Sequence, residues 1–261
     1  MRTLLAGPWV GEFGWELFCW QGHLRRIAKD YDKVAVACKP GHGGLYTDFA
    51  DKIIEHPVSS GNTNMFMCES EHGNCLYGKY DCTDYIGGHF NIGFPIDNPE
   101  HASVNFKNQE FMRYGSKSKS RMFDLVIHAR STSKLGTNNR NWSKEKWKEL
   151  VSLFPDTSIV CIGSKEASLH FEGTTDMRGI PIDQLTDVLA SSRVTVGPSS
   201  GPIHLASLCG CSHVVWSGST HNKLRYEKYW NPHNTPVEYI HTATGWDADI
   251  DEVMQAIRKI T

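Results

Sequence analysis

Apolar and polar positions along this chain fall into two rhythms, short apolar runs and longer stretches of helical spacing. Thr3 to Ala6 is a short apolar run that empties into the loop Gly7-Pro8-Trp9-Val10-Gly11-Glu12-Phe13-Gly14, a strand followed by a glycine-rich turn. Trp15, Leu17, Phe18, Leu24 and Ile27 then recur at helical spacing up to Lys29. Lys33 to Cys38 is a compact apolar run ended by Lys39-Pro40-Gly41, which predicts a buried strand. Strand, glycine loop, helix and strand open a βαβ unit, and that crossover predicts a parallel sheet. Residues 57–118 are rich in Gly, Asn, Ser and aromatics with little periodicity, so short strands and loops are expected there.

Gly115 to Arg121 is small, polar and charged, with nothing to bury, and predicts a linker. It divides the chain into domains 1–118 and 119–261. A second series follows. Phe123 to Ala129 is strand-like, and Trp142 to Leu153 is an amphipathic helix with Ser143 as its N-cap. Ser158 to Ile162 is a strand ending at Gly163, Ile182 to Ser191 a helix, and Val194 to Val196 a strand. Pro202 to Leu208 reads as a helix, His213 to Trp216 as a strand, and Asp247 to Lys259 as a closing amphipathic helix. The expected fold class is α/β, two Rossmann-like lobes with a cleft between them.

Composition narrows the class. Hydrophobic residues at 39% and charged residues at 21% describe a soluble globular chain rather than a disordered one. Lys plus Arg number 27 against 29 Asp plus Glu, which argues against a dominant polybasic surface for nucleic acid. No apolar run approaches a membrane span, so no integral membrane contact is expected. The start is too soon acidic for a signal peptide, and a cytoplasmic protein is the expectation. Cys19, Cys38, Cys161 and Cys209 lie in or beside apolar segments, as core thiols do. Cys68, Cys75 and Cys82 are evenly spaced near His72 and His89, but no two of them fall within the short ligand spacing of zinc sites. Free thiols are expected over a metal.

The strongest chemical signal is Val194 to Ala206, where an apolar strand enters the turn Gly197-Pro198-Ser199-Ser200-Gly201 and a helix starts near Pro202. Unpaired amides at that helix start, with the Ser199 and Ser200 hydroxyls, suit a phosphate or diphosphate. Ile127-His128-Ala129-Arg130 ends another strand at the edge where α/β sheets hold ligands, and an arginine there can fork onto a diphosphate. Lys134, Arg140 and Asn141 follow in a Gly/Asn-rich loop that could carry a second phosphate contact, with Lys134 read rather as a solvated basic residue. Tyr226, Tyr229 and Trp230 are read as helix packing rather than as a stacking platform.

Asp183 to Gly210, with its core Ser200-Gly201-Pro202-Ile203-His204-Leu205-Ala206, resembles the donor half of the ADP-heptosyltransferase-like glycosyltransferases (family 9, GT-B fold). Asn141 to Leu150 looks like that family's tryptophan-led helix, and Val214 to Thr220 like its glycine-ended strand. The likeness covers roughly residues 124–220 and is that of a short relative of the kind associated with phages and viruses. It implies that Ser200 and Gly201 hold the donor diphosphate and that His204 matches the family's histidine one turn in. Ser199 stands where the family carries an acidic or amide residue, which leaves the donor sugar open. The His128-x-Arg130 pair also resembles that of GT-B fucosyltransferases, without the acidic residue that follows there. The family has a Gly-Asp at the first strand-helix junction, its aspartate being the general base. Counting along the helix aligns this with Glu16, and the local Gly-acid pattern aligns it with Glu12. Glu12 is favoured, as a loop carboxylate between glycines. Gln21, His23, Lys39 and His42 would line the acceptor side, and the terminal helix would cross back to the first domain.

The implied activity is sugar transfer from a nucleotide-diphosphate sugar to an acceptor hydroxyl on a glycan, small molecule, protein or modified nucleobase. No cofactor beyond the donor and no metal-assisted leaving group are expected. Two alternatives stay open, a GT-B-fold nucleotide-sugar epimerase and a non-catalytic nucleotide-sugar-binding module.

Overall fold

The computed structural model describes residues 1–57, 75–88, 96–98, 103–104, 108–116, 121–132, 139–243 and 245–261. The chain forms two compact units, Met1–Phe111 with Pro181–Asp183, and Met112–Ile180 with Gln184–Thr261. Of the expected linker, residues 117–120 lie outside the described residues. Ser116 belongs to the second unit, where its amide donates to Asp187 Oδ1 at 2.7 Å.

The first unit is built on four strands in the order β3-β2-β1-β4: β1 (Thr3–Ala6), β2 (Lys33–Cys38), β3 (Lys52–Glu55) and β4 (Asp84–Ile86). All three pairings are parallel. Leu4, Leu5 and Ala6 of β1 and Val34, Val36, Ala37 and Cys38 of β2 are buried, as a near-continuous apolar run in a parallel sheet requires. The β1–β2 crossover is helical but not one α-helix. It runs as α1 (Phe13–Trp15), a π turn (Glu16–Trp20) and α2 (Gln21–Ala28). The π turn is buried throughout, and Trp20 stacks on Trp9 with centroids 5.9 Å apart. Gly7 leaves β1 at φ +90, where a Cβ would strike the Ala37 carbonyl of the neighbouring strand, so only glycine fits. Arg25 is buried and forks onto Asp48 through Nε at 2.6 Å and Nη2 at 3.0 Å, which fixes α2 against the segment after β2.

Six parallel strands make the second unit's sheet, in the order β12-β11-β10-β7-β8-β9. They are β7 (Phe123–Ile127), β8 (Ile159–Cys161), β9 (Thr175–Asp176), β10 (Ser192–Pro198), β11 (Ser212–Ser217) and β12 (Val237–His241). A separate antiparallel ladder joins β5 (Ile96–Asn98) and β6 (Ser103–Val104). The helices are α3 (Lys144–Ser152), α4 (Ile182–Ala190), α5 (Gly201–Cys209), α6 (Thr220–Leu224) and α7 (Ile250–Ile260), with a second π turn at Arg225–Tyr229. Ser143 caps α3 by accepting from the Lys146 amide at 3.1 Å, and Trp142 lies two residues before the helix begins. The terminal helix α7 belongs to the second unit and packs on β11, β12 and α3 rather than crossing back to the first. Its Val253, Ala256 and Ile257 join a core centred on three tryptophans. Trp142 lies 4.9 Å from both Trp147 and Trp216, edge-on to the first. Its indole N–H is satisfied by the Ala248 carbonyl at 2.9 Å.

Trp147 sits at 0% exposure in this core, so Trp147→Ala removes a large buried ring that the surrounding β-sheet cannot collapse to fill. The expected loss is roughly 3–5 kcal/mol. It should appear in urea melts followed by circular dichroism as a lower midpoint, and an unchanged midpoint would show that this cluster does not support the fold.

Candidate functional site

Side chains with the chemistry sought gather at the C-terminal ends of strands, where parallel sheets open toward ligands. In the second unit, β10 ends at Pro198 and α5 begins at Gly201, so Ser199 and Ser200 form the turn between them. Ser200 is the N-cap in extended conformation, yet its hydroxyl does not cap the helix. It bonds instead to His128 Nδ1 at 2.8 Å, reaching the loop after β7. The Ser200 amide donates to the Tyr226 hydroxyl at 3.2 Å, and that hydroxyl donates to Ser199 Oγ at 3.3 Å. The turn is therefore held from two sides, leaving the amides of Gly201 and Ile203 in the first helical turn, where N–H groups have no carbonyl behind them.

His128 is buried, and desolvation with the nearby Arg130 charge pushes its pKa down to about 4, so the ring is neutral at physiological pH. Arg130 is half-buried and donates from Nη1 to Asn141 Oδ1 at 2.5 Å. Asn141 also accepts from the Thr132 amide at 3.2 Å and donates to the Thr132 carbonyl at 3.0 Å, fixing the loop around the arginine. Arg140 lies over the Trp246 ring at 4.7 Å, and Lys134 is outside the described residues. His204 is placed in the core. It stacks on Tyr226 with centroids 4.1 Å apart and meets Trp230 tilted at 4.6 Å, and burial holds its pKa far below the usual histidine value. It supports Tyr226 rather than the turn directly.

The first unit has its own cluster. Glu16, at the head of the π turn, has no exposed surface. Its Oε2 bonds His42 Nδ1 at 2.8 Å and its Oε1 accepts from the Tyr46 hydroxyl at 2.7 Å. Burial alone would raise its pKa, but the His42 charge and hydrogen bond, the Lys39 charge and the Tyr46 bond together lower it, so the carboxylate is ionised. Lys39 donates to the Gly11 carbonyl at 3.0 Å. The His42 ring meets Phe13 edge-on at 5.2 Å, and 20% of its side chain is exposed.

Glu12 is set apart from this group. It is exposed, and its carbonyl starts the helical segment by accepting from the Trp15 and Glu16 amides, while its carboxylate makes no hydrogen bond among the described residues. Gln21 is buried and donates to the Leu17 carbonyl at 2.7 Å, besides pairing with Arg25, so it serves the helix interior. His23 is partly buried, and desolvation lowers its pKa. Of the candidates in this unit, then, Glu16, Lys39 and His42 come together and Glu12, Gln21 and His23 do not join them. Tyr46 and, in the other unit, Tyr226 were missed. Tyr46 gave no signal in sequence, whereas Tyr226 stood out as an aromatic but was read as packing alone.

The expectation of metal-free chemistry rests on an absence of Asp-x-Asp triplets, and that premise is wrong: the chain has three, at Asp30–Asp32, Asp247–Asp249 and Asp249–Asp251. Several of these carboxylates have structural work. Asp32 accepts from the Arg2 amide at 2.7 Å, Asp247 pairs with Lys146 at 2.6 Å, and Asp249 caps α7 by accepting from the Asp251 amide at 2.8 Å. Among the described residues, no group of three His, Cys, Asp or Glu side chains could hold a metal ion. Cys75 and Cys82 pack beside Leu76, while Cys68, His72 and His89 lie outside the described residues.

Two parallel sheets flanked by helices define the class, and the fold is that of the GT-B glycosyltransferases. Among solved structures, the heptosyltransferase WaaC of E. coli with ADP matches at a TM-score of 0.61 and 14% identity, over 100% of both chains. The ADP-heptose lipopolysaccharide heptosyltransferase II of E. coli matches at 0.60 and 14%, over 99% of each. A family 9 glycosyltransferase of Veillonella parvula matches at 0.59 and 8%, over 99% of this chain and 97% of that one. No family model matches the chain, and no curated protein matches its sequence. No helix among the described residues is long and apolar enough to cross a membrane.

The buried histidines make stability fall in acid. His128 and His213 are each pushed down to about 4 by burial, against about 6.5 for an unfolded histidine. The unfolded chain therefore binds protons first, and the stability these rings contribute is present above pH 6.5 and lost toward pH 4. Each adds a slope of about 1.4 kcal/mol per pH unit in that window. Urea midpoints at pH 7.5, 6 and 5 should fall together with pH, and His213→Gln should flatten the fall. An identical slope in the variant would contradict the burial of a neutral ring at that position.

Proposed function

We propose that this protein is a glycosyltransferase that moves a sugar from a nucleotide-diphosphate sugar to an acceptor hydroxyl, with no metal in the step. The observation that carries this is the Ser199-Ser200-Gly201 turn at the start of α5, braced by His128 and Tyr226, with Arg130 at the end of the adjacent strand β7. A diphosphate on that turn would meet first-turn amides, the Ser200 hydroxyl and the Arg130 guanidinium. Negative charge grows on the leaving diphosphate as the sugar departs, and fixed donors of this kind stabilise it without reorganising. Solved structures of the same fold include heptosyltransferases with ADP and with an ADP-heptose analogue, which supports an ADP-sugar as the first donor to try. The second unit would carry the donor and the first the acceptor, a glycan, small molecule, protein or modified base. The donor is itself the substrate, and no further cofactor is invoked.

A thermal-shift screen against ADP-, UDP- and GDP-sugars, with a CMP-sugar as the monophosphate control, should show stabilisation by the diphosphate donors first. Arg130→Ala and Ser200→Ala should each weaken nucleoside diphosphate binding by about 1.5–3 kcal/mol, while binding of the bare nucleoside changes little. Unchanged diphosphate affinity in both variants, measured by calorimetry, would reject the site. Product analysis distinguishes the reaction type: free nucleotide with a glycosylated acceptor means transfer, and an isomerised nucleotide sugar means an epimerase.

A further inference from the structure

We propose that His42 is the group that takes the proton from the acceptor hydroxyl, and that Glu16 acts through it as a positioning residue. The inference rests on the transfer reading and names a residue that reading leaves open. A base must touch the hydroxyl it deprotonates. Glu16 has no exposed surface, and both its oxygens are already bonded, Oε2 to His42 and Oε1 to Tyr46. It cannot reach a substrate without breaking both bonds. Glu12 is exposed, but nothing among the described residues orients its carboxylate. His42 alone combines the two requirements. One ring nitrogen is fixed by Glu16 at 2.8 Å, a fifth of the side chain is exposed, and Nε2 makes no hydrogen bond among the described residues.

In the neutral ring, an ionised carboxylate at Nδ1 selects the tautomer with the proton there, which leaves the Nε2 lone pair as the acceptor. The Phe13 edge on the ring and the Tyr46 bond on Glu16 restrict rotation of both partners. In the transfer step the acceptor oxygen forms its bond to the sugar's anomeric carbon. The bond from that carbon to the diphosphate oxygen breaks, and the diphosphate leaves with the electron pair. The hydroxyl proton passes to Nε2, giving an imidazolium whose charge Glu16 offsets. Lys39, Glu55 and Asp183 are charged groups beside this corner: Lys39 acts on Glu16, Glu55 accepts from the Gly41 amide at 2.8 Å, and Asp183 packs against Gly44.

The test uses the full-length protein with ADP-heptose, ADP-glucose, UDP-glucose and GDP-mannose, reading release of nucleoside diphosphate with water and with glycerol as acceptors. His42→Ala should lower the wild-type rate by roughly 10²–10⁴ with donor affinity unchanged, while the melting temperature falls because the buried Glu16 carboxylate loses one of its two partners. Added imidazole should then restore roughly tenfold or more of that loss, a rescue that a purely structural role would not give. Glu16→Gln should lower kcat with KM for the donor unchanged, and in the His42→Ala background it should cost nothing further, since the two act as a unit. If His42→Ala does not fold, His42→Gln replaces it in the same cycle with Glu16→Gln. Wild-type-like release in a His42 variant, loss without imidazole rescue, or additive losses in the cycle would each overturn the role of His42 while leaving transfer standing. A wild-type protein that binds these donors but releases no diphosphate from any of them overturns the transfer reading, and this inference with it.

Discussion

Every strand pairing in the two main sheets is parallel, and this one constraint decides where the chemistry can lie. A parallel strand cannot turn back on itself, so each must be followed by a crossover, and all the exits fall on one edge of the sheet. Neighbouring strands therefore bring their exit loops together however far apart they are in sequence. Because β1 pairs with β2, the helix after β1 and the loop after β2 are adjacent, and Glu16 meets His42. Because β7 pairs with β10, the loops after them are adjacent, and His128 meets Ser200 across a gap of 72 residues. Each candidate cluster is a side effect of strand order.

The polar groups in these clusters are buried, and burial sets their state. An isolated carboxylate without solvent would be neutral, but Glu16 has a hydroxyl donor, an imidazole and a lysine charge within its surroundings, and these keep it ionised. In the second unit, burial dominates at His128, His204 and His213. His128 beside Arg130, and His204 beside Arg225 and His213, lose their protons instead. One residue type thus does different work in the two units: paired with a buried acid it helps hold that acid's charge, and among cations and aromatics it is a flat polar spacer. Tyr226 shows the same economy, since one face packs on His204 while its hydroxyl braces Ser199 and Ser200.

Much of this architecture was legible because buried parallel strands are continuous apolar runs. Thr3–Ala6 and Lys33–Cys38 appear in the structure with the bounds their sequences suggest, and the helices after Ser143 and Ser200 begin where a cap or a proline announces them. The strands Lys52–Glu55 and Thr175–Asp176 went unread because they are short edge strands with exposed or half-exposed side chains, too brief to show any period. Val237–His241 alternates little and is only partly buried for the same reason. The sites were legible in part. Ser200 and Arg130 stand at strand ends, which sequence marks well. The partners that position them, Tyr226 and Asn141, and the pairing of Glu16 with His42 and Tyr46, depend on which strands are neighbours, and local spacing carries no record of that.

The π turns carry a consequence of a different kind. Glu16–Trp20 and Arg225–Tyr229 are each wound wider than an α-helix, with i to i+5 bonding, and each contains a residue of its unit's cluster, Glu16 in one and Tyr226 in the other. One residue corresponds to about 100° of helical rotation. Losing a single codon from either turn would let the segment relax to plain α-helix while turning the carboxylate, or the phenol, away from its partners by that angle. In this protein the placement of a key side chain is thus open to change by deletion within a helix, with every amino acid that remains left as it was.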